Sequence, residues 1–248
     1  MRIIISPAKK MREDTDSLAP SGLPDFLPET QRLLDALRQM DARALQKLWG
    51  CNDAIAALNL QRLERMDLER NLTPALLSYE GIQYQYMAPG VFESGQFAFL
   101  QEHLRILSGF YGILRPFDGV TPYRLEMQAK LRVGDCRDLY AFWGDKLARQ
   151  LAQETGLVVN LASKEYSRAV ESHLPASVRM LTCVFGELQG EKVVEKGTIC
   201  KMARGRMVRW LAEQGITQPE GLLAFQELGY RFSPAHSSEN RLVYIREP

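Results

Sequence analysis

Apolar and polar residues recur with different periods along the chain, and each change of period marks an element. Residues 2–6 hold the unbroken run Ile3, Ile4 and Ile5, closed by Pro7. A short β-branched run of this kind predicts a strand buried on both faces that leads straight into a loop carrying Lys9 and Lys10. From Asp14 to Pro28, Ser, Pro, Gly and Asp dominate and predict a loop. Helical spacing follows. Leu33, Leu34, Leu37 and Met40 share one face, and Asp41 caps a stretch with Leu45, Leu48 and Trp49 inside and Gly50 at its end. Asn52 starts a third helix with Ile55, Leu58 and Leu63 turned inward.

Thr73-Pro74 reads as a helix start, with Thr as cap and Pro in the first helical position. Ile82, Tyr84 and Tyr86 alternate with Gln83 and Gln85, a period of two that predicts either a strand with one polar face or an aromatic-rich extended loop. Gln96–Leu104 has helical spacing, and Gly109 and Gly112 permit a tight turn after Leu107. Asp138 caps a helix running through Leu139, Trp143 and Leu151 to Gly156. Leu157–Leu161 is a buried strand, and Ser163 caps the short helix behind it, which carries Glu165 and Tyr166. Arg179–Phe185 and Lys192–Glu195 predict strands, Thr198–Gln214 a helix, and Leu242–Ile245 a last strand. Helices and strands alternate irregularly without an internal repeat. The expected fold is α/β (mixed α+β), a single domain over 1–248 with a central mixed sheet flanked by helices.

Composition narrows the class. The chain has 248 residues, 46% of them hydrophobic, enough for a substantial core, and a net charge of +1. Cys51, Cys136, Cys183 and Cys200 form no CxxC pair, so neither a zinc site nor a disulfide framework is expected, and reduced thiols fit a cytoplasmic protein. The apolar start is cut off by Pro7 and Lys9, too early for a signal-peptide core or a membrane span.

Charge is distributed unevenly. Residues 1–12 carry four basic and no acidic side chains; residues 105–132 carry five against two, and residues 192–209 six against one. Residues 29–70, by contrast, hold seven of each sign, which marks solvated helix faces. If the three basic segments meet, they form a phosphate-binding groove on a neutral body. Within them, Arg115 and Arg124 stand among Gly109, Gly112 and Gly119, a mixture suited to bidentate phosphate contacts and close backbone approach. Their alternative is a rigid loop in which Arg115 pairs with Asp118 and Arg124 with Glu126. Lys201 and Arg204 share one helical face while Arg206 and Arg209 lie on another, and Gly205 between them would let the helix approach a sugar-phosphate backbone. Lys9 and Lys10 sit at the carboxyl end of the first strand, the usual ligand edge of α/β sheets. His103, His173 and His236 are scattered, no HExxH, GxSxG, GxGxxG or P-loop pattern occurs, and no metal or cofactor is expected.

Six motifs carry a resemblance: ISPAK (5–9), YEGIQYQYMAPGVF (79–92), LSGFYGILRPFDGVTPYRLEM (107–127), LYAFWGD (139–145), NLASKEY (160–166) and KMARGRM (201–207). Through them the chain resembles the YaaA family of bacterial peroxide stress proteins from end to end. That resemblance implies a basic cleft, a helix-hairpin-helix-like element, and binding of double-stranded or distorted DNA. It also implies a cytoplasmic role in tolerating hydrogen peroxide by limiting iron and the damage iron promotes. Carried onto this sequence, the DNA contacts are Lys9, Arg115, Arg124, Lys201 and Arg204, with Arg105, Arg206 and Lys10 beside them; Lys10 stands where many relatives have Thr. Contacts to phosphate are expected to outweigh base readout. Tyr84, Tyr86, Phe110 and Tyr111 are candidates to stack on unpaired bases, with core packing as their alternative use. Non-enzymatic DNA binding is the favoured reading. The alternative is an enzyme acting on a nucleotide or nucleic acid, with the Arg/Lys cluster clamping phosphate and Glu126 or Glu165 as the acid-base group.

Overall fold

Arg2–Ile5 (β1) is the central strand of the sheet in the computed structural model, which describes residues 1–246; the last two positions of the expected 1–248 domain lie outside the described residues. Ile3, Ile4 and Ile5 are wholly buried, as an unbroken apolar run requires of a strand covered on both faces. Two parallel neighbours flank it: Leu104–Ser108 (β2) on one side and Leu157–Leu161 (β4) on the other. Beyond β2 the sheet ends with Gly112–Leu114 (β3), antiparallel in a hairpin. Beyond β4 come Arg179–Gln189 (β5) and Arg241–Arg246 (β8), both parallel, and Tyr230–Phe232 (β7) at the edge. Lys192–Val194 (β6) folds back on β5. The order is therefore β7-β8-β5-β4-β1-β2-β3, a mixed sheet flanked by helices, as the sequence predicts.

This order has a consequence for ligand placement. From β1 the chain first builds toward β2, then crosses back over β1 and builds the other way through β4, β5 and β8. The reversal falls between β1 and β4. In open α/β sheets the crevice outside the carboxyl ends of such a strand pair is where ligands bind.

Most helices follow their caps. Leu27–Arg38 (α1), Ala42–Trp49 (α2) and Asp53–Arg65 (α3) run in succession, with the Asp41 and Asn52 side chains accepting from the Ala44 and Ile55 amides. On α3 the expected stripe holds at Leu63 and fails at Ile55 and Leu58. Ala56, Asn59 and Leu63 are buried, whereas Ile55 and Leu58 face out, because α1 and α2 cover the neighbouring side of the helix. Thr73-Pro74 pairs with Gly119–Val120, and the short helix that follows, Ala75–Ser78, starts one residue later than expected, with Pro74 and not Thr73 at its cap position.

Ile82–Met87 (α4) is helical and not the strand or extended loop that its alternation suggests. It is packed on Gly197–Gln214 (α9), and tertiary packing overrides local pattern in so short a segment. Ser94–His103 (α5) follows. The helix after Asp138 breaks at Gly144 into Leu139–Trp143 (α6) and Lys146–Glu154 (α7). Lys164–Glu171 (α8) leaves β4 through Ser163. The inner flank of α9 rests on a cluster of rings in which Phe185 stacks on Tyr244 at 5.1 Å and Phe225 meets Trp210 at 5.5 Å. That cluster fixes where the cations of α9 point.

Gly109 and Gly112 lie at the turn of the β2–β3 hairpin, so this segment is not a helix-hairpin-helix turn. Strand residues on both sides of the turn pair with each other, which leaves no flanking helices. Gly109 serves a different contact: a Cβ there would stand 2.6 Å from the Leu125 carbonyl oxygen. Its absence allows the segment carrying Arg124 and Glu126 to cross directly over the hairpin.

Candidate functional site

A cavity of about 380 Å³ opens at the sheet reversal, outside the carboxyl ends of β1 and β4. Ser6 continues β1 and Ser163 continues β4. The Ser163 amide donates to Ser6 Oγ at 2.8 Å and the two hydroxyls lie 3.2 Å apart, tying the strand ends together at the cavity floor. Tyr84, Tyr123 and Tyr166 supply aromatic walls. Tyr84 donates to the Ser6 carbonyl at 3.0 Å, and Tyr123 lies 2.6 Å from Ser108 Oγ and 2.8 Å from the Tyr79 hydroxyl. Burial pushes the Tyr79, Tyr84, Tyr123 and Tyr166 phenols up, so they remain neutral donors and acceptors and are not bases.

Lys9, Lys10, Arg124, Lys201 and Arg204 all line this cavity, although they come from segments up to about two hundred residues apart. Three carboxylates, Glu80, Glu126 and Glu165, stand with them and leave the lining at net +2. Lys10 is held to Glu80 at 2.8 Å on the rim, and Lys9 to Glu126 at 2.8 Å. Lys201 has no ion pair among the described residues.

Hydrogen-bond inventories separate these arginines from the others. A guanidinium has five N–H donors. Arg124, with only 10% of its side chain exposed, makes one long bond, Nη2 to the Trp49 carbonyl at 3.4 Å, and one ion-pair contact with Glu126 at 3.6 Å. Arg204, 14% exposed, has among the described residues one polar side-chain contact, Glu195 at 3.4 Å. In both, Nε is buried without a partner, and so is Nε2 of Gln83, another residue of the lining. Unpartnered buried donors each cost roughly 1–3 kcal/mol, and an acceptor-rich ligand reduces that cost.

Three other expected contacts lie elsewhere. Arg105 stands near the start of β2, and in a parallel sheet the strand starts share the edge opposite the cavity. It is buried there, held by Glu154 at 2.6 and 2.8 Å and by three backbone carbonyls. Arg115 follows β3, which runs back to that same edge, and binds Asp118 at 2.9 Å and Asp25 at 3.1 Å. Arg206 projects from a different side of α9 than Arg204 and pairs with Glu227 at 3.1 Å. Gly205 does not bring this helix close to a phosphate backbone: its missing side chain makes room for the Gln83 carbonyl of α4. Phe110 and Tyr111 are fully buried and unable to stack on bases.

Glu165 sits in the first turn of α8 and accepts from the Gln128 amide at 3.3 Å. Burial pushes its carboxyl above the usual carboxylate range, and neighbouring Glu126 adds to that shift. Ser6 belongs to the ISPAK motif beside Lys9, whereas Glu80 and Gln83, also in the lining, carry no sequence signal beyond membership of the YEGIQYQY motif. Among the described residues no group of three or more His, Cys, Asp or Glu is arranged to hold a metal, and no helix is long and apolar enough to cross a membrane.

Comparison with known proteins extends over this entire framework. The profile of the family described as peroxide stress protein YaaA matches residues 1–236. A UPF0246 protein of Lachnoclostridium phytofermentans is 52% identical over 246 residues, covering 99% of this chain and 96% of that protein. A UPF0246 protein of Agathobacter rectalis is 51% identical over 247 residues, covering 100% and 99%, and one of Pediococcus pentosaceus is 48% identical over 246 residues, covering 99% and 98%.

Proposed function

Because the chain belongs to the peroxide stress protein YaaA family, we propose that it is a DNA-binding protein of the peroxide stress response, holding sugar-phosphate in the cavity between β1 and β4. In that role it protects against iron-promoted oxidative damage. The observation that carries the reading is the pair of nearly buried, under-bonded guanidiniums of Arg124 and Arg204 facing one cavity with Lys201, which has no ion pair among the described residues. Phosphate oxygens are the acceptors that such a set of donors matches best. A cavity of about 380 Å³ is of small-ligand size, suited to one nucleotide and too small for a duplex. Distorted or unpaired DNA, with a nucleotide turned out of the stack, is therefore the expected ligand, and duplex DNA is expected to bind more weakly.

A salt series with labelled bubble and duplex DNA tests this. The affinity is expected to fall linearly with salt on logarithmic axes, bubble DNA to bind more tightly, and Lys201→Ala and Arg204→Ala each to lower the slope by roughly one unit. Affinity that ignores both salt and these substitutions overturns the proposal.

One observation favours a second reading, an enzyme acting on a nucleotide: Glu165, with its raised carboxyl pKa, shares the cavity with Glu126. Glu165→Gln separates the two. For a binding protein, removing one negative charge from the lining is expected to tighten DNA roughly threefold at pH 7, the effect of a unit charge about 6 Å away in water. It is also expected to flatten the gain in affinity that the parent protein shows as pH falls and Glu165 takes up its proton. The folded state binds that proton more strongly than the unfolded chain, so the stability Glu165 contributes is present at low pH and lost as pH rises through its folded pKa. For an enzyme, the same substitution abolishes nucleotide turnover while DNA stays bound.

A further inference from the structure

A second chamber, of about 660 Å³, lies beside the first and shares Lys9 and Glu126 with it. Its walls are Met40, Ala44, Leu48, Trp49 and Ala129, an apolar surface assembled from the turn between α1 and α2, from α2, and from the segment after Glu126. Lys47 and Lys130 stand among its lining with Lys9; Lys130 also reaches Asp138 at 3.5 Å and Lys9 reaches Glu126 at 2.8 Å, which leaves Lys47 as the cation without an ion pair among the described residues. A hydrogen bond links the walls of the two chambers. Arg124, which faces the first, donates to the carbonyl of Trp49, which walls the second. Trp49 itself is about nineteen-twentieths buried, and its indole N–H has no acceptor.

We propose that this chamber is a second nucleotide subsite, which seats the base of the nucleotide adjoining the one whose phosphate lies between Arg124 and Arg204. The inference rests on the phosphate reading of the first cavity. Its occupant follows from the chemistry of the walls: a planar apolar group meets Met40, Leu48 and the indole, while an anion attached to its edge meets Lys9, Lys47 and Lys130. A nucleic-acid strand has that alternation of aromatic base and phosphate, and its path from one chamber to the next runs over Lys9, 65% exposed, at their shared boundary. Trp49 is thus a specificity-determining wall for strand over mononucleotide, a role distinct from the charge clamp of Arg124 and Arg204.

Equilibrium binding of 5′-phosphorylated oligothymidylates of one, two and three residues to the full chain tests the proposal. The dissociation constant is expected to fall tenfold or more between one and two residues and much less between two and three. Ala44→Trp, which fills the chamber, is expected to bring the two-residue ligand back to the affinity of the single nucleotide while leaving the latter unchanged. Lys47→Glu, on the exposed end of the same helix, is expected to act in the same direction and carries the test if the bulky variant fails to fold. A single nucleotide that binds as tightly as the longer ligands, or substitutions that weaken all three ligands equally or none, overturns the second subsite alone. Absence of binding by every ligand overturns the phosphate reading and this inference with it.

Discussion

Gly205→Ala is expected to lower stability by about 3 kcal/mol or more, since overpacking usually costs 1–3 kcal/mol even where flexible side chains can give way. Here the obstacle is backbone. A Cβ at position 205 would overlap the Gln83 carbonyl oxygen and stand 3.1 Å from the Met87 amide nitrogen, so α4 and α9 would have to part. Neither helix can yield alone: α9 is seated on the Phe185, Phe225 and Tyr244 rings, and α4 is fixed by the Tyr84 hydroxyl on the Ser6 carbonyl. For a chain of this length the loss corresponds to a fall in melting temperature of roughly 6–12 °C. Because α4 brings Gln83 and Tyr84 to the cavity and α9 brings Lys201 and Arg204, the substitution is also expected to weaken DNA binding at temperatures where the variant is still folded. Thermal melting followed by a binding titration checks both. A variant that melts with the parent protein would show that the two helices do not need this contact.

Glu154→Ala is expected to cost about 3–5 kcal/mol, the range for removing one partner of a buried ion pair. The Arg105 side chain is only 6% exposed, and Glu154 is its carboxylate partner at 2.6 and 2.8 Å while also accepting from Arg2 at 2.8 Å. Without Glu154 the buried Arg105 guanidinium keeps its charge next to the sheet and loses its carboxylate partner, while Arg2 retains only Glu102 at 2.9 Å. The double substitution Arg105→Met with Glu154→Leu is expected to recover most of the loss, because two packed apolar side chains replace a pair whose desolvation is costly. Urea unfolding of the single and double variants measures the difference. The same double variant separates structural from DNA-binding arginine: its salt slope for DNA is expected to match the parent, in contrast to that of Arg204→Ala. A slope reduced by one unit would return Arg105 to the binding surface.

Arg105, Arg115 and Arg206 show why the basic segments, legible as they are in the sequence, do not by themselves define a site. Charge along a segment counts neighbours in the chain, whereas the availability of a cation depends on neighbours in space. The partners that occupy these three are Glu154, Asp25 and Glu227, each lying 21 to 90 positions away in the chain. Asp118, which also holds Arg115, was the one partner close enough to be seen beforehand. For Arg124 and Arg204 the opposite holds. Their sequence neighbourhoods offer Glu126 and Glu195, yet the contacts formed, 3.6 and 3.4 Å, leave most of their donors unused.

What the sequence determined by itself was whatever depends on a few consecutive residues: the triple isoleucine of β1, the Asp41, Asn52 and Asp138 caps, the strand at Leu157–Leu161, the cations of α9, and the six motifs that mark the family. These follow from local sterics, periodicity and hydrogen bonding, which need no distant partner. Tertiary structure alone decided that Ile82–Met87 is helical, that Ile55 and Leu58 of α3 face outward, and which of eight cations share a cavity. The last is a matter of direction. Parallel strands bring Ser6 and Ser163 to one edge of the sheet and carry Arg105 and Arg115 to the other, and nothing in the spacing of residues along a chain records which end of a strand its neighbour will adopt.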